Sequence, residues 1–228
     1  MKYLLSMLLL AGMALSACTT STQPTTVSVP SASQPTPANT SPATGGDNVT
    51  FKIIAGKSQA SYTVNETFLN ENNRLNTAVG ITSQITGEIY ANKANPPTST
   101  LGTITVDLSQ LTSDSSRRDG YIRQNFLESS KYPLATFVPD KIDSLPATYL
   151  DGQNYSFKVS GKLTVHNVTK PVTFDVSASL KGDTLSGMAT TTLLMSDFGV
   201  GPISLLGMLK TEDKVEVKLT FTASPSGN

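Results

Sequence analysis

The chain has 228 residues, of which 38% are hydrophobic and only 15% are charged. This length is enough for one large domain or two small ones. Lys and Arg together number 17, as do Asp and Glu, so the formal net charge is zero. Because there is no excess of positive charge to neutralise a phosphate backbone, we expect no nucleic-acid partner.

The single Cys and the single His exclude further classes of protein. One chain cannot build a disulfide framework, a Cys-x-x-Cys metal site or a multi-histidine metal centre from these two side chains. We therefore expect neither a metal nor a cofactor. The 16 Gly, the 13 Pro and the abundant Ser and Thr favour strands and turns over long helices.

The N-terminus has the layout of an export signal over residues 1 to 17, in which Lys2 precedes an apolar run from Leu4 to Leu15. The tetrapeptide that ends at Cys18, Leu-Ser-Ala-Cys, resembles the lipobox of bacterial lipoproteins, whose cysteine is acylated and becomes the new N-terminus after cleavage. The apolar run is shorter than the ~20 residues that cross a bilayer. The alternative is an ordinary secreted protein with an incidental cysteine.

This start predicts an exported protein of the cell envelope, anchored by lipid at Cys18 to the outer membrane or to the outer face of the cytoplasmic membrane. Residues 18 to 48 contain the cysteine and a Pro-, Ser- and Thr-rich tether with a single charge, Asp47. Such a segment cannot bury enough apolar surface to offset ordering, so we expect it to be disordered. A periplasmic or extracellular domain is predicted over residues 49 to 224, with a tail over 225 to 228.

From residue 49 onward apolar and polar residues alternate, which is the period of a half-buried strand. In residues 77 to 90 the odd positions from Val79 to Ile89 are mainly apolar. Turn residues at 167 to 171 and at 181 to 183 separate later strands. Roughly eight or nine strands result, and antiparallel strands of this number either stack as two sheets or close into a barrel.

One segment breaks the strand period. Ser113 and Asp114 are suited to cap a helix, and Ile122 and Phe126 lie four residues apart, as on one helical face. We predict a helix of about four turns that ends before Pro133. It serves either as a flap over one end of the domain or as ordinary packing.

Several short motifs together resemble the YceI-like family. Arg118-Asp119, then Tyr132-Pro133 followed by Phe137, and Asp197-Phe198-Gly199 occur in family order across residues 51 to 223. Further matches are Leu111 to Asp114, Gly80 to Gly87, Gly161 to Val165 and Val168 to Val172. The chain departs from the family pattern where many members have an early Trp and histidines on the first strands. These regions here contain Phe51, Gln59, Ala60, Ser61 and Glu66.

The resemblance implies an all-β fold, an antiparallel lipocalin-like barrel of about eight strands with one short helix, whose interior can hold a polyisoprenoid. Inward positions are almost wholly apolar and the chain has no Trp, so we expect a hollow interior. The protein would sequester or transport a long apolar ligand. The residues expected to line the interior are Val79, Ile81, Ile85, Ile89, Ile104, Val106, Phe126, Phe137, Phe157, Val159, Phe174, Val176, Met188, Met195 and Phe198.

The charged residues of the predicted helix are candidates for contact with a polar headgroup. The guanidinium groups of Arg118 and Arg123 suit an oxyanion such as phosphate, although structural ion pairs are the alternative. One rival function is a ligandless barrel that serves as an interaction module. The other is a hydrolase that uses carboxylates such as Asp114 and Asp119. Because no nucleophile elbow or phosphate-binding glycine loop is present in the sequence, we expect no enzyme activity.

Overall fold

The computed structural model describes residues 48–205 and 207–226. The predicted signal peptide, Cys18 and the tether up to residue 47 lie outside these residues, as does the end of the predicted tail. The described residues form one 13-stranded antiparallel sheet, one α-helix and three 3₁₀ turns. None of the helices in this part of the chain is long and apolar enough to cross a membrane.

The elements follow one another through short connections. The strands are β1 Asn48–Ile53, β2 Gln59–Phe68, β3 Arg74–Thr82, β4 Ile85–Thr86, β5 Glu88–Asn92, β6 Thr100–Leu101, β7 Ile104–Asp107, β8 Leu134–Asp143, β9 Asn154–Val165, β10 Val168–Lys181, β11 Thr184–Leu194, β12 Ser204–Leu205 and β13 Leu209–Pro225. The helix α1 is Ser116–Asn125, and the 3₁₀ turns are Pro96–Thr98, Leu108–Gln110 and Met195–Phe198. The first described strand begins at Asn48 and the last ends at Pro225.

The sheet curls so that two of its end strands, β3 and β4, are neighbours in the sequence. The hydrogen-bonded order is β4-β7-β8-β9-β10-β11-β13, and β13 also pairs with β2, which pairs with β3. Only Ser83 and Gln84 separate β3 from β4. An isolated bridge between Ile81 and Thr112 lies near this join, and the amide of Asp107 donates to the carbonyl of Gln84 at 2.9 Å. The prediction of an antiparallel, lipocalin-like β fold with one α-helix is confirmed.

The segment from 77 to 90 is not one uninterrupted strand. On β3 the even-numbered positions from Ala78 onward are buried and the odd ones are exposed. Val79 is 44% and Ile81 is 38% exposed, so the expectation that they line the interior is wrong. A shift of one residue moves every side chain to the opposite face of a strand. The chain makes that shift between Thr82 and Ile85, and Ile85 is again buried.

The expectation that Met188 lines the interior is also wrong. Met188 is 43% exposed, whereas its neighbour Ala189 is buried, because successive side chains of a strand point to opposite faces. The inward set on β11 therefore contains position 189 and not position 188.

The helix begins later than expected and is ten residues long. Its cap is Ser115, whose hydroxyl accepts a hydrogen bond from the amide of Arg118 at 3.3 Å. Ser113 instead binds the side chain of Asp119. The prediction of a cap at Ser113 and Asp114 is therefore wrong by one to two residues, because Ser113 has a partner on the helix itself.

The two long hairpins differ in how well the sequence predicts them. Gly182 and Asp183 connect β10 to β11, as expected from the turn residues there. The other connection is only His166 and Asn167, whose φ angles are 50° and 60°. Positive φ at both central residues is typical of a type I′ hairpin turn, so Val168 to Pro171 continue the strand and do not form a loop.

Gly120 offers a test of how tightly α1 is constrained. It lies inside the helix, and a Cβ at this position would have nothing within 4 Å. We expect Gly120→Ala to stabilise the fold by about 1 kcal/mol, the helix-propensity difference, and to raise Tm by about 2–4 °C. The matched control is Gly182→Ala, which has equal space but φ of 58° and should destabilise by about 1 kcal/mol. Equal effects of both variants in thermal unfolding would contradict this account.

Candidate functional site

A cavity of about 1330 Å³ occupies the inside of the curled sheet. Small-molecule pockets commonly measure about 300–1,000 Å³, so this space is large for a domain of this size. Its walls are mainly Val, Leu, Ile, Phe and Ala side chains from both early and late strands. The interior is therefore hollow, as the sequence predicts.

Most of the predicted lining residues face this cavity. They are Ile89, Ile104, Val106, Phe126, Phe137, Phe157, Val159, Phe174, Val176, Met195 and Phe198. Val79, Ile81 and Met188 lie on the outer surface, and Ile85 is packed in the hydrophobic core without reaching the cavity. The role of the inward set as ligand contacts stays a prediction.

The wall formed by β2 is a part of the cavity that the sequence does not predict. Ala60, Tyr62, Val64, Glu66 and Phe68 all line the cavity at every second position of this strand. The period of two was available as a signal. A tyrosine and a glutamate at inward positions hide it, because they interrupt the run of apolar residues on that face.

Residues of α1 and of the β12–β13 hairpin both line the cavity. Several of its lining residues are exposed, among them the large side chains of Tyr121 at 42%, Leu194 at 45% and Met208 at 52%, so the cavity is open to solvent. The amide of Leu69 donates to the carbonyl of Met208 at 2.8 Å and ties the end of β2 to this hairpin. The helix thus forms part of the cavity wall. Its role, as a flap or as ordinary packing, stays a prediction.

A polar cluster interrupts the apolar wall beside the helix. The carboxylate of Glu66 is only 3% exposed, and its Oε1 accepts hydrogen bonds from Arg118 Nη2 at 2.9 Å and from Asn76 Nδ2 at 2.7 Å. Arg118 also pairs through Nη1 with the exposed carboxylate of Asp114. The bond between Arg118 and Glu66 joins α1 to β2 over a separation of 52 residues in the chain.

Asp119 completes the cluster and is 7% exposed. Its two oxygens accept hydrogen bonds from Ser113, one from the hydroxyl at 2.6 Å and one from the backbone amide at 3.0 Å. The cluster therefore contains the carboxylates of Glu66, Asp114 and Asp119 but only the guanidinium of Arg118. Its formal charge is negative.

These contacts bear directly on the predicted headgroup residues. Both terminal nitrogens of Arg118 are already bound to carboxylates, and Arg123 Nη1 donates to the carbonyl of Leu111 at 2.7 Å. The structural alternative therefore describes both arginines better than phosphate binding does. Asp114 and Asp119, which the hydrolase alternative would use, are bound to Arg118 and Ser113. Among the described residues no group of three His, Cys, Asp or Glu is placed to hold a metal ion.

Tyr62 lies on β2 close to these charges. Its ring occupies the space above Gly80 on the paired strand, where a Cβ would come within 2.2 Å of Tyr62 Cε1. Burial raises the pKa of the Tyr62 phenol to about 12; Arg118 opposes this shift, whereas Asp119, Glu66 and Asp114 add to it. The phenol therefore remains a hydrogen-bond donor throughout the neutral range.

Alkaline titration tests this environment. An unfolded tyrosine ionises near pH 10, so folding should lose the stability contributed by protonated Tyr62 progressively between about pH 10 and 12, and retain it fully below that range. Phenolate absorbance should show a late component that Tyr62→Phe removes. Because the pKa of Tyr149 is also raised to about 12, the wild type minus Tyr62→Phe difference is the measurement to use. A difference curve centred near pH 10 would contradict the burial.

Comparison with known sequences shows which domain and which proteins this chain resembles. The model of the YceI-like domain matches residues 51–223. A UPF0312 protein of Pseudomonas putida (strain GB-1) is 38% identical over 123 residues, which are 50% of this chain and 60% of the relative. A UPF0312 protein of Shewanella baltica (strain OS185) is 31% identical over 137 residues, 55% of this chain and 68% of the relative. The aligned region is thus only about 60% of the length of the P. putida relative.

Solved structures show the same fold at lower identity. Burkholderia cenocepacia BcnA superposes with a TM-score of 0.60 at 21% identity, covering 75% of this chain and 99% of that protein. A polyisoprenoid binding domain from Saccharophagus degradans, implicated in plant cell wall breakdown, gives a TM-score of 0.56 at 13% identity over 78% of this chain and 99% of the domain. With the domain model matched from residue 51 to residue 223, the chain belongs to the YceI-like family.

Proposed function

We propose that this protein binds a long apolar molecule, a polyisoprenoid, in its cavity and sequesters or transports it. The observation that carries the proposal is the cavity of about 1330 Å³ with apolar walls. The ligand class is supported by a structural relative from S. degradans, which is a polyisoprenoid binding domain. The proposed role is that of a binding protein.

The driving force of the proposed binding is burial of hydrocarbon. Each CH₂ group removed from water contributes about 0.8 kcal/mol, so a chain of several isoprene units can offset the several kcal/mol lost on association. The wall can adapt to such a chain, because Met195 is flexible and polarisable. Phe137 and Phe174 add an edge-to-face pair with ring centroids 5.1 Å apart.

The proposal includes an extracytoplasmic location and a lipid anchor at Cys18. It is supported by the short apolar run that ends in Leu15-Ser16-Ala17-Cys18. The segment from residue 18 to residue 48 would then connect the domain to the membrane that holds the ligand. Tethering raises the effective concentration of the domain at that membrane.

The ligand is tested by solvent extraction. The full chain is purified from the membranes of a bacterium that expresses it, extracted with organic solvent and examined by mass spectrometry. We expect a prenyl compound in near-stoichiometric amount, and much less in a parallel sample of an unrelated lipoprotein. Recovery of no apolar compound above that control would overturn the carrier proposal.

The anchor is tested separately with Cys18→Ser. Metabolic labelling with radioactive palmitate should label the wild-type chain and leave the variant unlabelled, because the thioether sulfur is absent from the variant. If both chains incorporate label equally, the acyl group is not at Cys18 and this part of the proposal is wrong.

A further inference from the structure

We infer that the Tyr62 hydroxyl donates a hydrogen bond to the polar end of the ligand, and that this end is a neutral oxygen acceptor such as a ketone, ester or amide carbonyl. The inference rests on the proposed function, because it names the head of the same ligand. It also replaces the phosphate headgroup that the arginines of the sequence suggest. Tyr62 thus becomes a specificity-determining residue of the cavity.

The first argument is that Tyr62 has an uncommitted donor in the wall of the cavity. Tyr149, another tyrosine of the cavity wall, already donates to Asp151 Oδ1 at 2.7 Å or to the carbonyl of Leu180 at 3.0 Å. Within the ranges that the structure describes, the Tyr62 hydroxyl makes no hydrogen bond to protein. Because no fully buried side-chain polar atom of the described residues lacks a partner, solvent can reach this hydroxyl. A ligand oxygen that accepts from it therefore replaces water in a cavity with mainly apolar walls.

The second argument is that the hydroxyl is held in place. The ring of Tyr62 fills the space left by Gly80, with the hydroxyl oxygen 2.9 Å from where a Cβ of residue 80 would lie. Tyr62 also pairs with Val217 on β13 and packs against the cluster that contains Val64 and Met195. A group that packing has already fixed loses little entropy when it binds a ligand.

The third argument is the sign of the neighbouring charge. Glu66, Asp119 and Asp114 outnumber Arg118, and all four interact electrostatically with the Tyr62 phenol. A phosphate ester carries a charge of about −1.5 to −2 at neutral pH, so placing it at this wall would bring like charges together in a medium of low dielectric constant. A neutral carbonyl avoids that repulsion. Arg117 also lines the cavity but is exposed, so its charge is screened by solvent.

The test compares three probes that share a long isoprenoid chain and differ at the head. They are geranylgeranylacetone, a neutral ketone; squalene, which has no polar head; and geranylgeranyl monophosphate. Binding to the delipidated full chain is measured by displacement of a hydrophobic fluorescent probe. We expect the ketone to bind more tightly than the phosphate. We also expect Tyr62→Phe to weaken ketone binding roughly five-fold, the value of one hydrogen bond, and to change squalene binding less than two-fold.

Matched variants separate the possible outcomes. Tyr149→Phe removes a hydroxyl that already has protein partners and should leave the preference for the ketone over squalene unchanged. Asp114→Asn removes an exposed negative charge of the cluster and should improve phosphate binding relative to the ketone. Unchanged ketone binding in Tyr62→Phe, or phosphate binding as tight as ketone binding, would overturn this inference alone. Failure of all three probes to bind would overturn the proposed function itself.

Discussion

Ala189→Trp is expected to reduce the affinity for a long isoprenoid chain by roughly two orders of magnitude. Ala189 is buried and lines the cavity, so an indole at this position would occupy space meant for the ligand. If it excludes four CH₂-sized groups, at about 0.8 kcal/mol each, the loss is about 3 kcal/mol, or roughly 200-fold in Kd. Titration with squalene measures this effect directly.

The adjacent residue provides the control. Met188 lies on the same strand but is 43% exposed on the outer face, so Met188→Trp adds the same side chain outside the cavity. Because the natural chain contains no Trp, each variant has a single indole whose emission reports its surroundings. We expect blue-shifted emission at position 189 and red-shifted emission at position 188. Equal loss of squalene binding in both variants would contradict a ligand site inside the sheet.

The sequence predicts local features of this fold well. The alternation that marks β9, β10, β11 and β13 needs only the period of two, and the Gly182-Asp183 turn needs only residues adjacent in the chain. The structure has strands and a turn at these places, close to the predicted positions. The hollow interior follows from the family resemblance together with the small and apolar inward residues, and the cavity agrees with it.

What the sequence could not predict depends on contacts between distant residues. Contact with the neighbouring strand β2 determines which residues of β3 face inward. The ring of Tyr62 fits only over a residue without a side chain, so Gly80 lies on the inner face. Val79 then lies on the outer face. The alternation within residues 77 to 90 contains no trace of that contact. The pairing of Glu66 with Arg118 is likewise invisible, because the two residues lie 52 positions apart.

Arg118→Ala is expected to cost about 3–5 kcal/mol of folding free energy, the usual effect of removing one partner of a buried ion pair. The side chain of Arg118 is 18% exposed and that of Glu66 only 3%, so the variant leaves a desolvated carboxylate whose other bond is from Asn76. The carboxylate of Asp114 would also lose its partner Arg118. At about 2–4 °C per kcal/mol for a domain of this size, Tm should fall by roughly 10 °C.

Two comparisons distinguish the buried charge from simple loss of a side chain. Arg74→Ala breaks the pair with Glu71, whose side chains are 51% and 48% exposed, and should cost less than about 1 kcal/mol. Adding Glu66→Gln to Arg118→Ala removes the unbalanced charge while the amide oxygen can still accept from Asn76, so the double variant should be more stable than Arg118→Ala alone. Urea unfolding of the four proteins gives the free energies. If Arg118→Ala costs no more than Arg74→Ala, the polar cluster does not hold α1 against β2 in the way that its geometry implies.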